Sequence, residues 1–223
     1  MRSYGQYCAL AKALDVIGDR WSLLIVRELL LRERCRYTDL REGLPGIATN
    51  LLAERLRELE RLGVIEREDA PPPVATTLFR LSERGRELRP AVRALGRWGA
   101  PLLGEDSGHD AFRGHWLALP LEIRLGDRIP EGPPITIGLR TGEEALVVEL
   151  ADGGVRTRAW SADAPDVTLS GSPRLMVGVL TGQVALEEAR ARGLEWEGDI
   201  EPLRRILAEP ASERTATAAG AGA

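Results

Sequence analysis

Two domains are predicted: a mainly α-helical unit with one β-ribbon over residues 1–104, and an α+β unit over 113–210. Three features of the sequence predict this division. Apolar residues recur at helical spacing through the first hundred residues, and at alternating spacing from about residue 117. Between them a polar, glycine-containing run, EDSGHD at 105–110, places a linker at 105–112. Charge divides at the same point, with 18 basic and 14 acidic residues through Gly104 but 12 basic and 20 acidic beyond it. Residues 211–223 are small and polar and are expected to form a disordered tail. No internal repeat is found.

Composition narrows the function classes. A chain of 223 residues, 43% hydrophobic and 29% charged, has the balance of a protein that buries a core. No stretch approaches the ~18 consecutive apolar residues of a membrane span. Lys12 and Asp15 interrupt the first apolar stretch, against a secretory signal, so a cytoplasmic protein is expected. Cys8 and Cys35 are too few for a disulfide scaffold or a cysteine-based zinc site. His109 and His115 are the only histidines, and no nucleophile–base pair stands out. The expectation is therefore no enzyme, no metal and no cofactor. Lys12 is the sole lysine. Arginine's planar fork suits phosphate and guanine edges, although high-GC codon usage gives the same bias.

The elements follow in order. Tyr7, Leu10, Ala11, Leu14 and Ile17 mark one helix face, and Gly18 interrupts it. Residues 21–31 are apolar almost all round, which predicts a buried helix. A short helix is expected over 38–44 with Thr38 as N-cap, then a Pro45-Gly46 turn. A longer helix runs over 49–62, with Leu52, Leu56 and Leu59 inward and Gly63 as its stop. Residues 64–67 and 77–81 read as two strands joined by a loop containing Pro71-Pro72-Pro73. Ser82 then caps a single helix reaching Leu103, tolerating Pro90 near its start. Its apolar positions Leu88, Ala91, Leu95, Trp98 and Leu102 form the narrow seam of a helix packing along another helix, where Gly96 and Gly99 permit close approach.

Beyond the linker, Leu117, Leu119, Leu121, Ile123 and Leu125 alternate as a strand does, although Pro120 restricts it to an edge or bulge. Residues 135–139, 144–150, 154–161 and 166–171 are further strands, and Asp152-Gly153 is a hairpin signal. Ser172-Pro173 opens a helix that Gly182 closes. A helix over 183–192, a strand over 194–197 and a final helix capped by Asp199 complete the chain.

Helix, turn, helix and ribbon, in that order, describe a winged helix-turn-helix, whose second helix enters the major groove and reads base edges with its N-terminal residues. Those positions are Thr49 and Asn50, with Ala53 next on the outward face. Asn pairs bidentately with adenine, and alanine meets a thymine methyl. Arg36, Arg41, Arg55 and Arg57 stand around them for phosphate, Thr38 joins them on the preceding helix, and Arg67 lies on the ribbon. A plain core with solvated arginines would share this pattern.

Residues 8–29 (CALAKALDVIGDRWSLLIVREL), 36–67 (RYTDLREGLPGIATNLLAERLRELERLGVIER) and 71–88 (PPPVATTLFRLSERGREL) resemble the HxlR-type bacterial transcription regulators. The resemblance implies a DNA-binding homodimer, joined through its N-terminal helix and the helix over 86–103; a repressor is expected. The wing tip, 70–75, departs from a basic wing in being proline-rich and uncharged, so deep minor-groove insertion is not expected of it. Some proteins of this type sense oxidants through an N-terminal cysteine. Cys8 has two readings, an inert thiol on the apolar face of its helix or a redox sensor helped by nearby Lys12. Cys35 reads as incidental.

Residues 145–160 (ALVVELADGGVRTRAW) and 162–207 (ADAPDVTLSGSPRLMVGVLTGQVALEEARARGLEWEGDIEPLRRIL) resemble the sterol-carrier-protein-like domain. That resemblance implies a tunnel holding an apolar small molecule. Its expected lining is Trp116, Ile137, Leu139, Val147, Trp160, Met176, Val179, Leu180 and Trp196, each of which is also an ordinary core residue. The expected whole is a two-domain regulator with double-stranded DNA and an apolar ligand as partners. A redox regulator, or a lipid-binding protein with a vestigial DNA-binding fold, are the alternatives.

Overall fold

The structure, a computed structural model, describes residues 3–70, 76–103, 110–125, 134–142, 144–151, 154–160 and 163–207. The wing tip, the linker core with His109, the Asp152-Gly153 turn and the tail lie outside the described residues.

The N-terminal unit comprises α1 (Ala9–Ile17), α2 (Ser22–Arg32), β1 (Arg34–Arg36), α3 (Tyr37–Glu42), α4 (Thr49–Arg61), β2 (Ile65–Asp69), β3 (Thr77–Leu81), α5 (Glu83–Arg86) and α6 (Arg89–Gly99). Ile25, Val26 and Leu29 of α2 are buried against Leu40 of α3 and Leu52, Leu56 and Leu59 of α4. Each such burial contributes roughly 1.5–3 kcal/mol, which is what seats α4. The ribbon is a three-stranded antiparallel sheet in the order β1-β3-β2. β1 is an addition to expectation: Cys35 pairs opposite Phe79, tying the end of α2 to the wing. Gly63, at φ +70°, supplies the left-handed turn from α4 into β2.

Three local expectations are corrected here. The N-cap of α3 is Arg36 rather than Thr38, because Asp39 accepts a hydrogen bond from the Arg36 backbone N–H at 2.7 Å. The helix after Ser82 is broken into α5 and α6, since Pro90 has no N–H to continue the ladder and starts a new first turn instead. Residues 118–125 form a helix, α7 (Ala118–Leu125), preceded by a 3-10 turn over Gly114–Leu117. The buried set Leu117, Ala118, Leu121 and Glu122 has helical spacing. Pro120 falls in the first turn of α7, where its missing N–H costs nothing.

The C-terminal unit continues with β4 (Ile135–Thr141), β5 (Glu144–Ala151), β6 (Gly154–Ala159), β7 (Val167–Ser170), α8 (Pro173–Thr181), α9 (Leu186–Ala191), β8 (Glu195–Gly198) and α10 (Glu201–Leu207). Its sheet runs β6-β5-β4-β7-β8, with β4 and β7 parallel and the other pairs antiparallel. Ser172 caps α8, and Gly182 at φ +79° ends it, as the sequence indicates. α7 packs on α6, where Ile123 lies close to Gly96. Leu31 of α2 belongs to the C-terminal core, and Leu119 of α7 touches both cores.

Candidate nucleic-acid interface

α4 presents two rows. Leu52, Leu56 and Leu59 face inward, whereas Thr49, Asn50 and Arg57 are exposed and Ala53 is half-buried. The start of α4 is held by the Tyr37 hydroxyl, which donates to the Thr49 carbonyl at 2.7 Å. That bond fixes α3 against the end expected to read bases, and the sequence reading missed Tyr37. Thr38 and Arg41 are exposed on α3, and Arg36 is exposed at its start. The structure thus brings Arg36, Thr38, Arg41, Thr49, Asn50, Ala53 and Arg57 onto α3 and α4 of one helix-turn-helix.

Two of the expected phosphate arginines are otherwise engaged. Arg55 pairs with Asp19, with Glu54 at 2.7 Å and with Glu58 at 3.0 Å, and its side chain is only 12% exposed. Burial disfavours its charge, but Asp19, Glu54 and Glu58 outweigh that and raise its pKa above the usual guanidinium value. Arg55 therefore ties α4 to the turn after α1. The acidic residues one before and three after it in sequence are the signal that would have shown this. Arg67 pairs with Glu60 at 2.9 Å and lies over the Phe79 ring. Two further ribbon arginines are also paired, Arg34 with Glu68 at 3.2 Å and Arg80 with Glu66 at 2.6 Å.

Several large apolar side chains of this unit are exposed. Tyr7 and Leu10 near the N-terminus, and Leu95, Trp98, Leu102 and Leu103 at and after α6, are all exposed, Trp98 at 75%. Cys8 is exposed and precedes the first turn of α1, so it does not occupy a buried face in this protomer. Cys35 is buried, which pushes its thiol up to about 12 and keeps it protonated at neutral pH.

The seam between the two units holds buried charged side chains beside its apolar contacts. Glu28 of α2 is 0% exposed. It accepts from Arg27 at 2.7 Å, from the Trp116 indole at 2.8 Å and from His115 Nε2 at 2.7 Å. Arg32 donates to His115 Nδ1 at 2.8 Å, so the partners assign the proton to Nε2. Burial raises the Glu28 carboxyl, but His115, Arg27 and Trp116 together hold it below the usual carboxylate range. A second buried carboxylate, Glu122 of α7, accepts from Arg89 at 2.7 Å and Arg93 at 2.8 Å on α6, and from the Val155 N–H on β6 at 3.2 Å. Neither Glu28 nor His115 was singled out as a contact between domains. A glutamate amid the apolar run of α2 was the available signal.

The nine residues expected to line a tunnel do not share one surface. Ile137, Leu139, Met176, Val179 and Leu180 pack fully buried into a single core, with Trp116 and Trp196 at its margin. Val147 and Trp160 lie across the sheet. There the Trp160 ring presses on Gly138, which is directly opposite Val147, and Arg140 stacks over it at 4.5 Å. Among the described residues no group of three His, Cys, Asp or Glu side chains is placed to hold a metal ion, and no helix is long and apolar enough to cross a membrane.

Comparison with known proteins matches residues 16–107 to the HxlR-like helix-turn-helix family, a match that stops short of the C-terminal sheet. The uncharacterized HTH-type transcriptional regulator sll1512 of Synechocystis is 35% identical over 103 residues, 46% of this chain and 76% of that protein. The uncharacterized HTH-type transcriptional regulator YvaP of Bacillus subtilis is 33% identical over 87 residues, 39% of this chain and 80% of its own. The reduced form of the redox regulator HypR is 30% identical over 42% of this chain and 92% of its own, at a TM-score of 0.39, too low to carry an argument. With Tyr37 locking two helices whose sequence matches such regulators over most of their length, the chain belongs to the HxlR-like helix-turn-helix family of transcription regulators.

Proposed function

We infer that the protein is a homodimeric, DNA-binding repressor whose two copies of α4 read a pseudo-palindromic operator. Half-sites one or two helical turns apart, at ~34–36 Å per turn, suit this arrangement. Thr49, Asn50 and Ala53 face base edges, Arg36, Thr38, Arg41 and Arg57 contact phosphate, and Arg67 follows the backbone beside the ribbon once released from Glu60. Arg55 serves by holding α4 in place. The observation that carries the reading is the exposed small and polar row of α4 above a fully buried leucine row. Fluorescence anisotropy on selected operator DNA tests it. Replacing Thr49 and Asn50 by Ala abolishes sequence preference, whereas Arg57→Ala weakens all DNA uniformly and lowers the salt slope by about 1. Unchanged preference in the double variant removes those residues from the reading surface.

The dimer is joined through the exposed apolar residues of α1 and α6, Leu10, Leu95 and Trp98 among them, since a second copy would remove them from water. Control is assigned to the C-terminal sterol-carrier-like layer, where an apolar molecule would favour one spacing of the two α4 helices. It would have to part the packed core of Ile137, Leu139, Met176, Val179 and Leu180, or lodge beside Trp160 and Val147. Mass spectrometry of an organic extract, near one compound per chain, supports this; an empty extract with unaltered DNA binding sinks it. A second reading rests on the exposure of Cys8 beside the first turn of α1. Under oxidant, DNA release that persists in Cys8→Ser eliminates it.

A further inference from the structure

Four arginines converge where no DNA, dimer or ligand role has been assigned. A recess of about 200 Å³ is lined by Leu29, Leu30 and Glu33 from the end of α2, Arg34 of β1, Arg80 and Leu81 of β3, Arg86 of α5 and Arg89 of α6. Its three leucines are all buried, so guanidinium groups rather than apolar side chains make up its open face. Three of the guanidiniums have carboxylate partners: Arg34 with Glu68, Arg80 with Glu66 and Arg89 with Glu122. Arg86 differs. It donates to the Leu81 carbonyl at 2.9 Å, and among the described residues it has no carboxylate partner.

Two further observations mark the recess. Arg80 Nε is buried with no hydrogen-bond acceptor, its distance to Glu68 being 3.6 Å. A buried donor left unmade is costly, and native structures carry few of them. Glu33, the sole acidic lining residue, has φ +59° and ψ −50°, a backbone region that costs a non-glycine residue energy and recurs at ligand sites. It faces Arg156 of β6 at 2.8 Å, so the recess opens beside the C-terminal sheet.

We propose that this recess binds a small organic carboxylate, its anionic end between Arg86 and Arg80. Guanidinium forks match carboxylates bidentately, and charge-assisted hydrogen bonds are the stronger kind. The volume equals roughly seven waters at ~30 Å³ each. That suits a single-ring or short-chain acid and falls below the ~300 Å³ at which pockets for drug-sized ligands begin.

The test is a ¹⁹F NMR titration of the full chain with 4-fluorobenzoate, in the absence of DNA. Any consequence for transcription rests on the regulator reading, and this arrangement lets the binding site and that reading fail separately. Saturable binding is expected, weakened at least about tenfold by Arg86→Gln, an exposed substitution, and unchanged by Arg192→Gln on α9. The neutral 4-fluorobenzyl alcohol should bind at least about tenfold more weakly than the acid. Equal binding of the alcohol, equal loss in both variants, or no saturation by about 10 mM each overturns the proposal.

Discussion

The N-terminal unit has two sides that solve the same problem in opposite ways. Along α1 and α6 it leaves Leu10, Leu95, Trp98 and Leu102 bare, whereas along α2 it buries Glu28 among Arg27, Arg32, His115 and Trp116. An apolar surface asks only for another apolar surface and leaves the choice of partner open. A buried carboxylate accepts one arrangement of donors, and its desolvation is offset only when all of them are present. The first side is suited to a separable association, the second to a fixed junction within one chain.

The largest effect should come from Glu28→Ala, which strands the donors of Arg27, His115 and Trp116 without their acceptor. A loss of about 3–5 kcal/mol in urea unfolding is expected. A loss below about 1 kcal/mol would show that the junction is not a structural necessity. Next in size, in the dimer proposed above, changing Leu95 and Trp98 together to Asp should raise the dissociation constant at least about thirtyfold, as loss of an interface anchor does. Sedimentation velocity reads this directly, and an intact dimer would move the association to some other face.

Acid sharpens the comparison further. The folded Glu28 carboxyl lies below its ordinary value, so its contribution is complete above about pH 4.3 and is lost as pH falls through the folded value. Unfolding free energy should decline on acidification, with a shallower slope in Glu28→Gln, while the apolar seam is indifferent to that carboxyl. Equal slopes would place the acid sensitivity elsewhere. The smallest effect belongs to Arg55. With its charge shared among Asp19, Glu54 and Glu58, Arg55→Ala should leave the salt slope of DNA binding unchanged, in contrast to Arg57→Ala.

Legibility in the sequence followed how local the determinants were. The start and stop of α4 and α8 could be read because Leu52, Leu56 and Leu59, Ser172 and Gly182 act within a few residues of themselves. α7 was misread as a strand because every second residue from 117 to 125 is apolar, and only the burial of Ala118 and Glu122 selects the helical face. β1 was missed because three residues, RCR, carry no period of their own and take their conformation from pairing with β3. The outward residues of α4 were found from helix geometry alone. The ion pairs of Arg55 were not legible because one partner, Asp19, lies 36 residues away, and the Glu28 junction spans 87 residues to His115.

Gly43 gives that junction a further consequence. It lies just after α3, in the turn of the helix-turn-helix, and a Cβ built there would fall on the Glu28 carboxylate. Its carbonyl also accepts from Arg27 at 3.2 Å. Glu28 is gripped by its neighbours and cannot swing aside cheaply, so no side chain can be added at 43 unless residue 28 changes with it. Substitutions in the two halves of the molecule are therefore not independent. A change acquired in the turn between α3 and α4 is felt by His115 and Trp116, and a library that diversifies this turn must hold position 43 constant or vary both halves together.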